Sequence, residues 1–233
     1  MKATLAARPL DILVTGATGY IGRPLAERLV ARGHRVRSLA RRPSLARVAE
    51  GTAIEGDALD ARSIAAALVP GATLVHLVGT PHPSPAKAAS FLSIDLESIR
   101  ASVKAARTKG TAHLVYLSVA QPAPVMRAYV DARAQGEAAI REAGLTATIL
   151  RPWYVLGPGH RWPVLLLPLT LFAEAFPPTR DAARRLGFVT LAQMIEALVQ
   201  AIERPPAQGQ HLIVDVPAIR AAGAKRSLAT GHS

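Results

Sequence analysis

The run Ile12-Leu13-Val14-Thr15-Gly16-Ala17-Thr18-Gly19-Tyr20-Ile21-Gly22 leaves this chain few folds to choose from. An apolar stretch suited to a buried strand passes through three glycines, spaced three apart, straight into a helical segment. Gly16 permits a sharp turn out of the strand, and Gly19 lets backbone N–H groups approach an anion with no Cβ in the way. Gly22 lets the helix pack close to the sheet, while the helix N-terminus offers unpaired donors and a positive dipole end. Thr18, Tyr20 and Ile21 fill out the turn and belong to the same site. The segment is a mould for the pyrophosphate of a dinucleotide. An ordinary glycine-rich turn would not need all three positions.

The next strand decides which dinucleotide. After a helix over Tyr20–Arg32 and a turn at Gly33, the run Arg35–Ala40 reads as strand two. About 20 residues past the glycine turn, a site for NAD places a carboxylate on the adenosine ribose. Here that place holds Ala40, followed by Arg41 and Arg42. Two guanidiniums there suit a 2′-phosphate, since unit charges ~4 Å apart at an effective dielectric of ~20 attract by ~4 kcal/mol before desolvation. The expectation is NADP(H), with NAD(H) as the alternative. The bland reading makes Arg41 and Arg42 two solvated charges.

Strand and helix signals alternate along the rest, the pattern of a parallel sheet covered on both faces. Strands are predicted at Asp11–Thr15, Arg35–Ala40, Thr52–Glu55, Thr73–Val78, His113–Ser118 and Thr146–Leu150. Helices are predicted at Tyr20–Arg32, Ala61–Leu68, a long Ala86–Lys109, and Tyr129–Glu142. The fold expected is a Rossmann-type, doubly wound α/β sheet with its ligand across the carboxyl ends of the strands. Residues 1–10 read as an extension, 11–150 as the core and 151–219 as a small C-terminal lobe completing the same domain. That lobe carries an apolar segment Trp162–Phe176, a basic patch (Arg180, Arg184, Arg185), a strand at Phe188-Val189, a helix Leu191–Ile202 and a strand His211–Val214. A disordered tail is expected from about Arg220.

Composition removes several functions. With no cysteine among 233 residues there is no disulfide framework, thiolate nucleophile or thiolate metal site. His82 and His160 sit in Pro/Gly-rich loops without a second ligand at metal spacing, so no metal is expected. No Gly-x-Ser-x-Gly elbow marks a hydrolase. The net charge of +12 invites nucleic acid, yet the arginines are scattered and aromatics are only 4%, which argues against base stacking. No apolar run is long enough for a leader peptide or a spanning helix, and a cytoplasmic location is expected.

Taken together, these features resemble the short-chain dehydrogenase/reductase superfamily, in its atypical and extended branch of epimerase/dehydratase-like and NmrA-like proteins. The resemblance runs from about Asp11 to Val216. It rests on the glycine turn, Gly56-Asp57-Ala58-Leu59-Asp60, Leu117-Ser118, Tyr129 four residues before a basic residue, Arg151-Pro152 and Gly157-Pro158. It implies that Asp57 and Ala58 meet the adenine, that Val78, Gly79 and Thr80 pass along the cofactor, and that Pro152 to Val155 lie by the nicotinamide. The alternative for Asp57 is a helix N-cap, a role Asp60 fills equally well.

In catalytic members of that superfamily a Tyr passes the proton, a Ser holds the substrate oxygen, and a Lys four residues after the Tyr binds the ribose. Ser118 and Tyr129 fit their places, and residues four apart share a helix face. Position 133 departs, holding Arg133 where the pattern has Lys. Arginine keeps the charge but cannot relay a proton. The expectation is an oxidoreductase acting on a small, apolar carbonyl or quinone-like molecule, with Tyr129 as acid/base, Ser118 as oxygen anchor and Arg133 as ribose-binding cation. Trp153, Tyr154 and Trp162 are candidates to wall the substrate pocket. The rival expectation is a non-catalytic NADP(H)-binding regulator or accessory subunit, docked on a protein or a membrane face. Either is compatible with a monomer or a homodimer.

Overall fold

A computed structural model describes residues 8–81, 83–123, 125–158 and 186–230, the last seven of these by backbone alone. The predicted Trp162–Phe176 segment, the basic patch after it, His82 and His160 lie outside the described residues.

Seven parallel strands form one sheet in the order β3-β2-β1-β4-β5-β6-β9. They are β1 (Asp11–Thr15), β2 (Arg35–Ala40), β3 (Thr52–Glu55), β4 (Thr73–His76), β5 (His113–Leu117), β6 (Ala147–Arg151) and β9 (His211–Asp215). The central strands are nearly continuous apolar runs because helices cover both faces. Alternation decides which face each side chain serves. Ile12, Val14, Val75, Val115 and Leu150 meet α1 (Gly22–Ala31) and two later helices, whereas Leu13, Leu74, Leu114, Tyr116 and Ile149 meet the helices opposite. Those opposite helices are α2 (Ala61–Ala67), α3 (Glu97–Lys109) and α4 (Arg127–Glu142). Fully burying side chains such as Leu29, Ile64 and Ile99 contributes roughly 1.5–3 kcal/mol each.

Winding runs outward from β1 to β3, then restarts on the other side of β1 with β4. At that reversal the strand ends splay and leave a crevice, the place where a ligand fits in such a sheet.

A second, two-stranded parallel sheet pairs β7 (Tyr154–Leu156) with β8 (Phe188–Thr190). The strand at 188 is predicted from sequence, but its partner is not, because three residues beside Pro152 carry no readable alternation. Thr190 then opens α5 (Leu191–Glu203) with a full capping box to Gln193, a reciprocal pair that satisfies two orphan donors. The tail expected from Arg220 begins inside a helix, α6 (Val216–Thr230). Its small residues hide the signal, yet Ile219 and Ala222 are buried in the core and Arg220 Nε donates to the Phe188 carbonyl at 2.9 Å.

The long helix predicted over Ala86–Lys109 is also modified. Short helical turns lead into a π-helical turn, Phe91–Leu96, before α3 begins. The wider turn points Phe91, Asp95 and Leu96 inward together, the kind of re-aiming for which such turns are used.

Candidate functional site

The glycine turn is held by its own backbone. Gly16 has φ +79°, and a Cβ there would sit 2.9 Å from the Leu77 carbonyl carbon at the end of β4. Gly19 donates to the Gly16 carbonyl at 3.1 Å. A Cβ on Gly22 would overlap the Gly16 carbonyl oxygen and approach Ala17 Cα to 2.8 Å. Close packing at Gly22 is therefore against the turn itself, not the sheet. Predicted to start at Tyr20, α1 starts at Gly22, with no side-chain cap and no acidic residue in its first turn. Arg23 N–H donates to the Gly19 carbonyl and Leu25 N–H to the Ile21 carbonyl, each at 3.1 Å, and Pro24 has no N–H, so the helix start offers an anion its dipole end and the Gly22 N–H.

Beside this turn lies a cleft of about 350 Å³. Gly16, Thr18 and Gly19 form its floor, and Arg41, Asp57 and Ala58 its outer end, with Val78 and Gly79 along one side. The two predicted guanidiniums part company. Arg41 faces the cleft, while Arg42 turns outward to Glu55 at 2.9 Å and is not among the lining residues. Pro43 sets the reason, opening a 3₁₀ turn (Arg42–Arg47) in which Ser44 donates its N–H to the Arg41 carbonyl at 2.8 Å. That turn brings Ser44 to the cleft in place of Arg42. The Pro-Ser pair after the arginines was the available signal. Asp57 stands at the cleft with Oδ1 accepting from Leu59 N–H at 2.9 Å. The cap of α2 is Asp60, which accepts from Arg62 and Ser63 N–H, so Asp57 is not the N-cap.

The cleft continues past the turn into a second one of about 400 Å³, sharing Gly16, Gly19, Leu77, Gly79 and Pro81 with the first. Ser118, Tyr129, Arg133, Pro152 and Val155 line it, with Trp153 and Tyr154 as walls. Tyr20 and Ile21 close it near the helix start. Tyr20 packs under Gly157, where a Cβ would overlap its hydroxyl, and burial pushes its phenol pKa up. The three residues expected from sequence to be catalytic, Ser118, Tyr129 and Arg133, thus meet at this end. Tyr129 is half-buried, its ring 5.0 Å from that of Phe91 and 5.2 Å from the Arg133 guanidinium carbon, a cation–π distance.

Arg133 is engaged from below. It is 5% exposed, donates through Nη1 to the Leu117 carbonyl at 2.9 Å and through Nη2 to Asp95 Oδ1 at 2.6 Å. The other oxygen of Asp95 accepts from Thr80 N–H at 2.9 Å and Thr80 Oγ1 at 2.6 Å. Thr80 thus turns its side chain to Asp95 and lines neither cleft. Gly79 lies directly over the guanidinium, so that a Cβ would overlap Nη2. Arginine at 133 therefore ties the Gly79–Thr80 segment to the end of β5. Asp95 was not foreseen. Its only trace is one charge inside the apolar run Phe91–Leu96.

Two further polar clusters support this end. Ser118 is buried and donates to Glu137 Oε1 at 2.6 Å, an atom that also accepts from Gln121 Nε2 at 2.6 Å and Arg151 Nε at 3.0 Å. Below them His76, fully buried in β4, lies 3.1 Å from Thr15 Oγ1 and 2.9 Å from Ser102 Oγ, both at Nδ1. Burial, aided by the charge of Arg133, holds its pKa down to about 3. His76 is a neutral core group here.

Residues 16–161 match the NAD(P)H-binding family. A ceramide reductase of Caulobacter vibrioides is 28% identical over 74% of this chain, and the chain spans 55% of that protein's length. A 3-diazoavenalumate denitrifying reductase of a Streptomyces species is 30% identical over 90% of the chain and 77% of its own length. Among solved structures, a short-chain dehydrogenase/reductase superfamily protein from Agrobacterium tumefaciens with bound NAD superposes at a TM-score of 0.64, covering 95% of this chain and 83% of that one at 19% identity. Glycine turn, strand order and sequence matches agree: the chain belongs to the NAD(P)H-binding family and has a Rossmann-type fold.

Proposed function

We propose that this protein is an NADP(H)-dependent reductase of a small, apolar substrate with a carbonyl or quinone-like group. The observation that carries this reading is the continuity of the two clefts across the glycine turn, with Arg41 at one end and Tyr129 at the other. The donors present suit a dinucleotide. The uncapped start of α1 and the bare Gly19 suit its pyrophosphate. Arg41, with the Ser44 hydroxyl, suits a 2′-phosphate, and Asp57 suits the exocyclic amine of adenine. When bound, the cofactor supplies a hydride.

The chain's own residues then have separable tasks. Tyr129 gives its hydroxyl proton to the oxygen that gains charge as the carbonyl is reduced. Arg133 is proposed here as a positioning residue, holding Gly79 and the end of β5 in place from beneath. Trp153, Tyr154 and Val155 give the substrate an apolar wall that limits water. Reductases among the relatives support a reductive direction. A cytoplasmic location and a small-molecule partner accompany this reading.

Calorimetric titration with NADPH and NADH, followed by NADPH consumption over a ketone and quinone panel, tests it. We expect tighter binding of NADPH and turnover that falls at least ~100-fold in Tyr129→Phe with NADPH affinity unchanged. Unchanged turnover would remove Tyr129 from the mechanism. One observation favours a second reading, a non-catalytic NADP(H)-binding protein. Arg133 is pinned by Asp95 and Leu117, and the Ser118 hydrogen is taken by Glu137. Tight NADPH binding without turnover on any compound would select it.

A further inference from the structure

Glu137 is a buried carboxylate, 1% exposed, one helical turn beyond Arg133 on α4. Its Oε2 pairs with Arg151 Nη2 and lies 3.6 Å from Arg141 Nη1, while Oε1 takes the hydrogens of Ser118, Gln121 and Arg151 Nε. Two guanidiniums balance the carboxylate charge, as a buried ion requires. A carboxylate so placed only accepts, and a serine hydroxyl has one hydrogen to give. At 2.6 Å that hydrogen is committed. What Ser118 has left for the cleft it lines is lone pairs.

From this we propose that Glu137 makes Ser118 a hydrogen-bond acceptor toward the substrate, so that the site selects molecules carrying an O–H or N–H beside the group to be reduced. The inference rests on the reductase reading above. A carbonyl oxygen set against Ser118 would meet lone pair with lone pair, an unpaired polar contact that disfavours binding. The carbonyl instead faces Tyr129, and a neighbouring hydroxyl or amide N–H fills the acceptor at Ser118. Ser118 is then a specificity residue, and Glu137 the positioning residue that sets its polarity.

The test compares 2-hydroxycyclohexanone with 2-fluorocyclohexanone, in which fluorine keeps the size of the hydroxyl but donates nothing. The readout is the ratio of their kcat/KM values with NADPH in the wild type and in Ser118→Ala, whose quotient cancels the intrinsic reactivity of the two ketones. We expect the hydroxy compound to be favoured about tenfold more in the wild type than in Ser118→Ala. Ser118→Thr, which keeps a hydroxyl, should restore the preference. Glu137→Gln, whose amide is able to donate to Ser118, should lower it. An equal ratio in wild type and Ser118→Ala overturns the proposal. Should NADPH bind and no ketone react, the reductase reading fails. The same two compounds are then titrated into the NADP⁺ complex, where preferential binding of the hydroxy compound that depends on Ser118 upholds the acceptor role and equal or absent binding overturns it.

Discussion

The two ends of the crevice are built from different materials. Around Arg41 and Asp57 the walls are backbone turns and short or exposed side chains, held by contacts between near neighbours such as Ser44 N–H to the Arg41 carbonyl and Leu59 N–H to Asp57. Around Ser118 and Tyr129 the wall rests on buried charges joined across the fold, with Arg133 meeting an aspartate 38 residues away and Ser118 meeting a glutamate 19 residues away. The outer end is an open surface held by local contacts. The inner end is also part of what keeps the domain folded. Damage should therefore register as lost affinity at the first and as lost stability at the second.

The largest effect should come from Asp95→Ala, which leaves Arg133 charged, buried and unpaired. A loss of about 3–5 kcal/mol is expected, read as a lowered urea midpoint. An unchanged midpoint with weakened NADPH binding would make the inner end another ligand surface and erase the contrast.

Acid should act at the inner end next. Unfolded His76 protonates near pH 6.5, but in the fold burial holds its pKa to about 3. Between those values the unfolded chain binds the extra proton, so stability falls as pH drops below about 6.5, by up to about 1.4 kcal/mol per pH unit. His113, pushed down to about 4 by burial, adds a similar slope. Urea titrations of a His113→Asn variant from pH 7 to 4.5 isolate the His76 share, and a flat profile there would sink this assignment.

At the glycine turn between the two ends, Gly22→Ala forces a methyl onto the Gly16 carbonyl and should weaken NADPH at least ~100-fold by displacing the turn. Calorimetry measures it. The smallest effects sharpen the division between neighbouring arginines. Arg41→Ala should reduce the preference for NADPH over NADH about tenfold, whereas Arg42→Ala, already occupied by Glu55 and exposed to solvent, should change it less than about twofold. Equal effects would return both guanidiniums to the site.

The same contrast explains what was legible in the sequence. The glycine turn is a local backbone device, so its three positions and the strand before it could be read directly from Ile12–Gly22. Strand segments alternating with helical ones likewise gave β1 to β6 within a residue or two, the central strands standing out as apolar runs buried on both faces. Arg133 could be flagged as unlike lysine, but its partner could not, since nothing near it in sequence names Asp95. Ser118 was singled out by its place at the end of β5, while Glu137 reads as any helical glutamate until the fold sets it beside that serine. Arg42 departs from its expected place for a different reason: adjacent side chains diverge, and Pro43 decides which of the pair faces inward.

The nearness of Gly79 to Arg133 bears on how this protein drifts over generations. With the guanidinium fixed by an aspartate and a carbonyl, no larger residue fits at 79 while arginine occupies 133. A lysine at 133 would vacate that volume and strand Asp95 with a single-pronged partner. The three positions are thus heritable only as a set, and descendants that take lysine at 133 should carry a changed residue at 95 in the same lineage.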